Sequence, residues 1–264
     1  MLIIMILLVG LAGCKPEPDP TAPDAIKNAG LSYKETPLNE EDIVTALKTN
    51  EIELKVDPSA SYFKLNKVKA SIYALPGNER IMLYVYDNAK ATKKARLDFA
   101  EQTKLMDMNS PLFYNVKNAL ILYQHHVGGV RPEERTAYNT AIENSIEQLL
   151  GDEIYVQHTK FYNIAKLKSF INSFNNHQAD QLKVTSLTIE GDPIYTYLLT
   201  DGNKLRYASD NSEDAFAGGD KGVSQTECLN IVQQTEEGRN AFYATGCQSG
   251  GQRYVLAAPD NAIN

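Results

Sequence analysis

A chain of 264 residues, 43% hydrophobic and 22% charged, carries enough apolar material for a sizeable core and does not have the composition of a disordered protein. Its formal net charge is -7, and no Lys/Arg cluster interrupts it. That balance argues against nucleic acid as a partner and against a charge-held membrane surface, because both require a basic face.

Residues 1–13 hold no charged side chain. About a dozen apolar residues are too few to cross roughly 30 Å of hydrocarbon, which takes about 20. The length is that of a signal-peptide core. Leu11-Ala12-Gly13-Cys14 then resembles the lipobox of bacterial lipoproteins. The resemblance implies a diacylglyceryl thioether on Cys14, which becomes the first residue of a mature chain anchored on the outer face of the cytoplasmic membrane. At about 0.8 kcal/mol per buried methylene, two acyl chains hold firmly where one binds reversibly. The basic residues that usually open such a signal are absent from this stretch; an upstream start is the favoured reading and a minimal opening region the alternative.

Residues 14–37 read as a tether. Pro16, Pro18, Pro20 and Pro23 alternate with Glu, Asp, Thr and Ala, a composition that stays extended and builds no core. At roughly 3 Å per residue it reaches up to about 7 nm from the bilayer.

The first folded segment is expected over residues 38–152. Asn39-Glu40-Glu41-Asp42 ahead of Ile43, Val44 and Leu47 marks a helix start with acidic residues in its first turn. Residues 52–56 alternate as a strand does. Strands over 68–75 and 81–86 flank Pro76-Gly77-Asn78-Glu79, a hairpin with a four-residue loop. Residues 91–106 suit a helix with Ala95, Phe99 and Thr103 on one side, 116–123 a strand, and 132–150 a long helix. In that last helix Ile142, Ile146, Leu149 and Leu150 form the buried stripe and Pro132 occupies the first turn.

The second segment is expected over 155–258. A helix over 163–174 places Ile164, Leu167, Phe170 and Ile171 at core spacing. Strands over 181–190, 194–199 and 204–208 are joined by turns at Gly191-Asp192-Pro193 and Thr200-Asp201-Gly202-Asn203. After a loop rich in Gly and Asp over 209–224, a short helix over 225–234 and strands over 240–244 and 252–257 complete it. Both segments read helix, three strands, helix, strand, so a shared ancestral fold is one reading and the commonness of antiparallel α+β domains is the other.

Thr188-Ile189-Glu190-Gly191-Asp192-Pro193-Ile194, then Leu199-Thr200-Asp201-Gly202, Asp210 and the pair Cys228 and Cys247, resemble an uncharacterised domain of Gram-positive, Bacillus-type lipoproteins. The likeness covers about 100 residues by this sequence's own count. It implies a setting and no activity.

Cys228 and Cys247 remain once Cys14 is lipidated, and an even pair outside the cytoplasm is expected to form a disulfide. A redox or metal pair is the alternative, without a Cys-x-x-Cys spacing or a nearby His to favour it. His125, His126, His158 and His177 lack zinc-ligand spacing, adjacent His125 and His126 point to opposite strand faces, and all four are expected as surface or loop residues. Glu190, Asp192, Asp201, Asp210, Glu213, Asp214 and Asp220 could gather oxygens for Ca²⁺. The same residue types serve turns, which is the expected reading. Tyr84 with Tyr86, and Tyr195 with Tyr197, each share a sheet face, as core packing or as an exposed ligand surface.

The sequence therefore predicts an α+β protein of two small domains, each an antiparallel sheet with packed helices. The expected function is a non-catalytic binding or interaction lipoprotein of the cell envelope, without cofactor or metal, its ligand or protein partner unidentified. One alternative is an extracytoplasmic hydrolase using the Glu190 and Asp192 carboxylates. The other is a structural or stress-related envelope component.

Overall fold

The computed structural model describes residues 33–125, 136–236 and 238–259. The signal segment, Cys14, the tether up to residue 32, His126 and Pro132 lie outside the described residues, as does the Asp220 side chain.

Helix α1 (Glu40–Thr49) begins as the sequence dictates. The Asn39 side chain accepts from the Asp42 amide at 3.0 Å and the Asp42 carboxylate accepts from the Asn39 amide at 2.8 Å. This reciprocal box satisfies two of the amides a helix start leaves unpaired. Strands β1 (Lys55–Val56), β4 (Ser71–Leu75), β5 (Glu79–Val85), β7 (Ala119–Gln124) and β6 (Leu112–Val116) form an antiparallel sheet in that spatial order. A small hairpin, β2 (Lys64–Leu65) and β3 (Val68–Lys69), lies outside it. The central strands β5 and β7 are buried on both faces, so they read as continuous apolar runs. Ile81, Leu83, Ile121 and Tyr123 pack under α1 and α3 (Thr136–Leu150). Met82, Tyr84, Leu120 and Leu122 pack under α2 (Ala89–Thr103) through Ala95 and Phe99.

The second sheet is six-stranded: β13 (Val223–Cys228), β12 (Leu205–Asp210), β11 (Pro193–Asp201), β10 (Ala179–Leu187), β8 (Glu153–Gln157) and β9 (Lys160–Tyr162). Its pairs are antiparallel except β8 with β10. Parallel neighbours need a crossover, and α4 (Ala165–Asn175) supplies it. One face of this sheet is apolar. Ile154, Leu182, Val184, Leu198 and Leu205 pack against Leu167 and Phe170 of α4 and against a third sheet of β14 (Asn230–Glu236), β15 (Arg239–Thr245) and β16 (Arg253–Pro259). Cys228 and Cys247 are joined by a disulfide inside that core. The fold is thus α+β, with antiparallel sheets and one parallel pair.

Several local expectations change. Residues expected as a helix over 225–234 are strands β13 and β14. Alternation decides it: Cys228 stands opposite Leu205 in the core, and β-branched Ile231, Val232 and Thr235 pair along β15. Of the expected strand over 116–123, residues 119–123 are strand in β7, while Val116 ends β6 and the chain turns at Lys117, whose φ is 50°. Residues 52–54 are not strand. Strand β8 bridges the boundary between the two expected segments, β9 falls inside the second, and Tyr155 and Tyr162 enter the core of the first sheet. Connectivity differs between the two large sheets, since only the second contains a parallel pair.

Candidate functional site

The other face of the six-stranded sheet is polar and still covered. Register places Glu153, Lys183 and Tyr197 in one cross-strand row, and Tyr155, Thr185, Tyr195 and Asp210 in the next. Side chains two apart on a strand share a face, so these seven form one surface. All seven are buried. Charged residues are almost never this enclosed unless paired, so each partner matters.

Lys183, 3% exposed, is the centre. Its ammonium donates to Glu35 at 2.7 Å, lies 3.7 Å from Glu153 and sits 4.9 Å from the centre of the Tyr195 ring. Burial alone would depress the Lys183 pKa, but the Glu153 and Glu35 carboxylates outweigh it and hold the group above its usual value. The Thr185 hydroxyl donates to Glu153 at 2.5 Å. Among the described residues the hydroxyl of Tyr197 and one carboxylate oxygen of Asp210 are buried without a hydrogen-bond partner, and the Tyr155 hydroxyl is buried beside Asn115. Orphaned groups of this kind are uncommon in native interiors.

The first half of the chain covers this face without filling it. Tyr33 leans edge-on against Tyr197, ring centres 5.2 Å apart. Lys34 and Gln181 exchange two bonds of 3.2 Å. Asn118, at the β6–β7 turn, accepts from the Leu38 amide at 2.7 Å and donates to the carbonyls of Leu38 and Tyr86. Two cavities of about 270 and 280 Å³ remain between the halves, and Ala89, Lys117, Glu153 and Lys183 line both. The first is walled by residues 33–37, the second by α2 through Thr92, Lys93 and Arg96 and by the β10–β11 turn.

Charge in this cleft is nearly balanced, with Lys34, Lys93, Arg96, Lys117 and Lys183 facing Glu35, Asp87, Asp152, Glu153, Glu190 and Glu213. Lys93 is tied to Asp192, and Lys183 to its two glutamates. Among the described residues Lys117 and Arg96 make no ion pair; Arg96 lies over the Phe113 ring at 5.5 Å. Burial lowers the Lys117 pKa, with Glu153 pulling the other way. Glu213, facing the Tyr195 hydroxyl at 3.4 Å, is pushed up by burial. The arrangement can hold a small anion or accept hydrogen bonds from a polar ligand, in cavities near the lower end of the usual ligand-site range.

The residues singled out from sequence fall in different places. Asp192 accepts from Lys93 and from the Ala215 amide, and both hold its carboxyl below the usual 3.8. Glu190 lines the second cavity. Asp201, Asp210 and Asp214 each accept from the amide two residues on, which is turn chemistry. Among the described residues no three His, Cys, Asp or Glu are gathered as a metal ion would need. His158 and His177 stand at turn positions with positive φ, and both ring nitrogens of buried His125 lack partners. Tyr84, Tyr86, Tyr195 and Tyr197 are buried, so neither pair forms an exposed aromatic surface.

Sequence reasoning did not single out Lys183, Glu153, Lys117 or Glu35. The available signal was the period-two pair Tyr195 and Tyr197: a tyrosine face needs cover, and the residues opposite it on β10 are Lys183 and Thr185. Among the described residues no helix is long and apolar enough to cross a membrane. No curated protein and no solved structure matches the chain. Residues 151–243, which carry Glu153, Lys183, Thr185 and Tyr195, match the sequence model of a domain of unknown function, DUF4362.

Proposed function

We propose that this protein is a non-catalytic binding lipoprotein of a Gram-positive cell envelope, held by lipid on Cys14, which takes a small ligand in the cleft between its two halves. The observation that carries the binding reading is the buried polar face around Lys183. Among the described residues the Lys117 ammonium has no ion-pair partner, and with Lys183 and Glu153 it borders cavities of about 270 and 280 Å³ rather than packed apolar side chains. A face kept polar at the expense of core packing is what a ligand site requires. Hydrolysis by Glu190 and Asp192 has less support, because Asp192 is occupied by Lys93 and a backbone amide. The address rests on the lipobox-like Leu11-Ala12-Gly13-Cys14 and the apolar run before it.

Two experiments test these parts separately. In cells fed labelled palmitate, Cys14→Ala should abolish labelling; a labelled variant contradicts the anchor. A thermal-shift panel of carboxylates, sugars, peptides and wall fragments should contain a stabiliser of the full chain. At about 100 times its dissociation constant it adds roughly 2.7 kcal/mol, a shift of several degrees. The shift should shrink in Lys117→Gln, since Lys117 lines both cavities. A stabiliser insensitive to Lys117 places the binding site elsewhere.

A further inference from the structure

We infer that the cleft takes a small organic carboxylate on Lys183 and Lys117, and that Glu35, on the strap of residues 33–37, is its built-in competitor; this rests on the cleft being a binding site. The chain itself demonstrates the geometry. Glu35 Oε1 accepts from Lys183 Nζ at 2.7 Å, while Glu153 stands at 3.7 Å from the same nitrogen. Glu153 is fixed from within its own sheet by Thr185. Glu35 comes from outside that sheet, and its side chain keeps 35% of its exposure.

The strap is held unevenly. Leu38, just beyond it, is buried and clamped by Asn118 through bonds of 2.7 and 3.0 Å. Among the described residues the bonds towards the N-terminus are longer, both 3.2 Å between Lys34 and the Gln181 side chain, and Tyr33 rests on Tyr195, Tyr197 and Ala208. Lys34, Thr36 and Pro37 are exposed. The segment can therefore pivot at Leu38 and withdraw Glu35 without breaking the Asn118 clamp.

Charge balance selects the replacement. Lys183 holds Glu35 at 2.7 Å and has Glu153 at 3.7 Å; Lys117 lies near the same carboxylates and near Asp152, which shares Lys166 with Asp180. Withdrawing Glu35 uncompensated takes the hydrogen-bonded carboxylate from buried Lys183, which is strongly unfavourable. One incoming carboxylate replaces the single negative charge that Glu35 takes away and inherits the Lys183 hydrogen bond. A neutral amide does not, and a dianion overshoots. The adjoining cavity offers Leu97, Leu187 and Pro193 as apolar walls, so the body behind the carboxylate is apolar.

The test titrates hexanoate and benzoate, with hexanamide and benzamide as neutral controls, calorimetrically into the full chain and into Glu35→Gln. Both acids should bind, the amides should not, and Glu35→Gln should bind the acids about tenfold more tightly because the competitor's occupancy is removed. The chain has no Trp, so Tyr33→Trp gives a single emission reporter that should shift to the red as hexanoate displaces the strap. Acids that bind equally to both forms, with an unmoved reporter, overturn the competitor while leaving the binding cleft intact. Acids that fail to bind even Glu35→Gln overturn the carboxylate assignment. A neutral compound whose stabilisation still depends on Lys117 would then preserve the cleft alone.

Discussion

Replacing Lys183 by Met should lower the free energy of unfolding by about 3–5 kcal/mol, the usual consequence of removing one partner of a buried charge pair. Glu153 is 4% exposed and would keep only the Thr185 hydroxyl as a direct partner. Lys117 is the other cation near it but makes no ion pair with it. Neutralising both charges in Lys183→Met/Glu153→Gln should recover most of the loss, so the two changes are strongly non-additive. Denaturant midpoints at unchanged slope measure this. Because the folded Lys183 pKa lies above its usual 10.5, the stabilisation is complete below that value. It fades only as pH rises through the higher folded pKa. The difference between wild type and Lys183→Met should therefore be flat from pH 6 to about 10. A loss under about 1 kcal/mol would mean that the site is wetter, and its charges freer, than the burial of Lys183 implies.

The second large effect belongs to the disulfide. Cys228 ends β13 and Cys247 follows β15, at a sequence separation of 19. Closing a loop of that size is worth about 3 kcal/mol in the chain-entropy account. Here the bridge also fastens the three-stranded sheet to the six-stranded one, inside a core shared by Phe242, Leu256 and Leu205. Cys228→Ala/Cys247→Ala should lower the thermal midpoint by several degrees. The polar face lies on the opposite side of the sheet, so ligand affinity at the cleft should not change. Equal midpoints for wild type with and without reductant would show the bond to be energetically idle. A large change in affinity would show that the two faces are coupled.

Local signals in the sequence were strong enough to place much of the fold. Asn39 and Asp42 cap α1 as their spacing demands, Leu167 and Phe170 form the buried stripe of α4, and Asp201 with Gly202 closes the β11–β12 hairpin. Failures came where pairing overrode local preference. Gln- and Glu-rich residues over 225–234 have helical propensity, yet cross-strand partners and the disulfide commit them to β13 and β14. The β6–β7 turn at Lys117 and Asn118 carries no glycine to announce it; Lys117 adopts positive φ itself. The cleft was illegible for a similar reason. Gln181, Lys183 and Thr185 alternate with Leu182 and Val184, the pattern of a strand with one solvated face. Only tertiary assembly turns that face towards the first half of the chain and brings Glu35, Lys117 and Glu153 to it.

The most direct test of the cleft as a binding site is backbone hydrogen exchange of the full chain, with and without a compound that stabilises it. A ligand seated between the halves should slow exchange on both sides at once: at the start of α2 and the β6–β7 turn in the first half, and along β8 and β10 in the second. Protection confined to one half, or to the three-stranded sheet beyond the disulfide, would contradict the account.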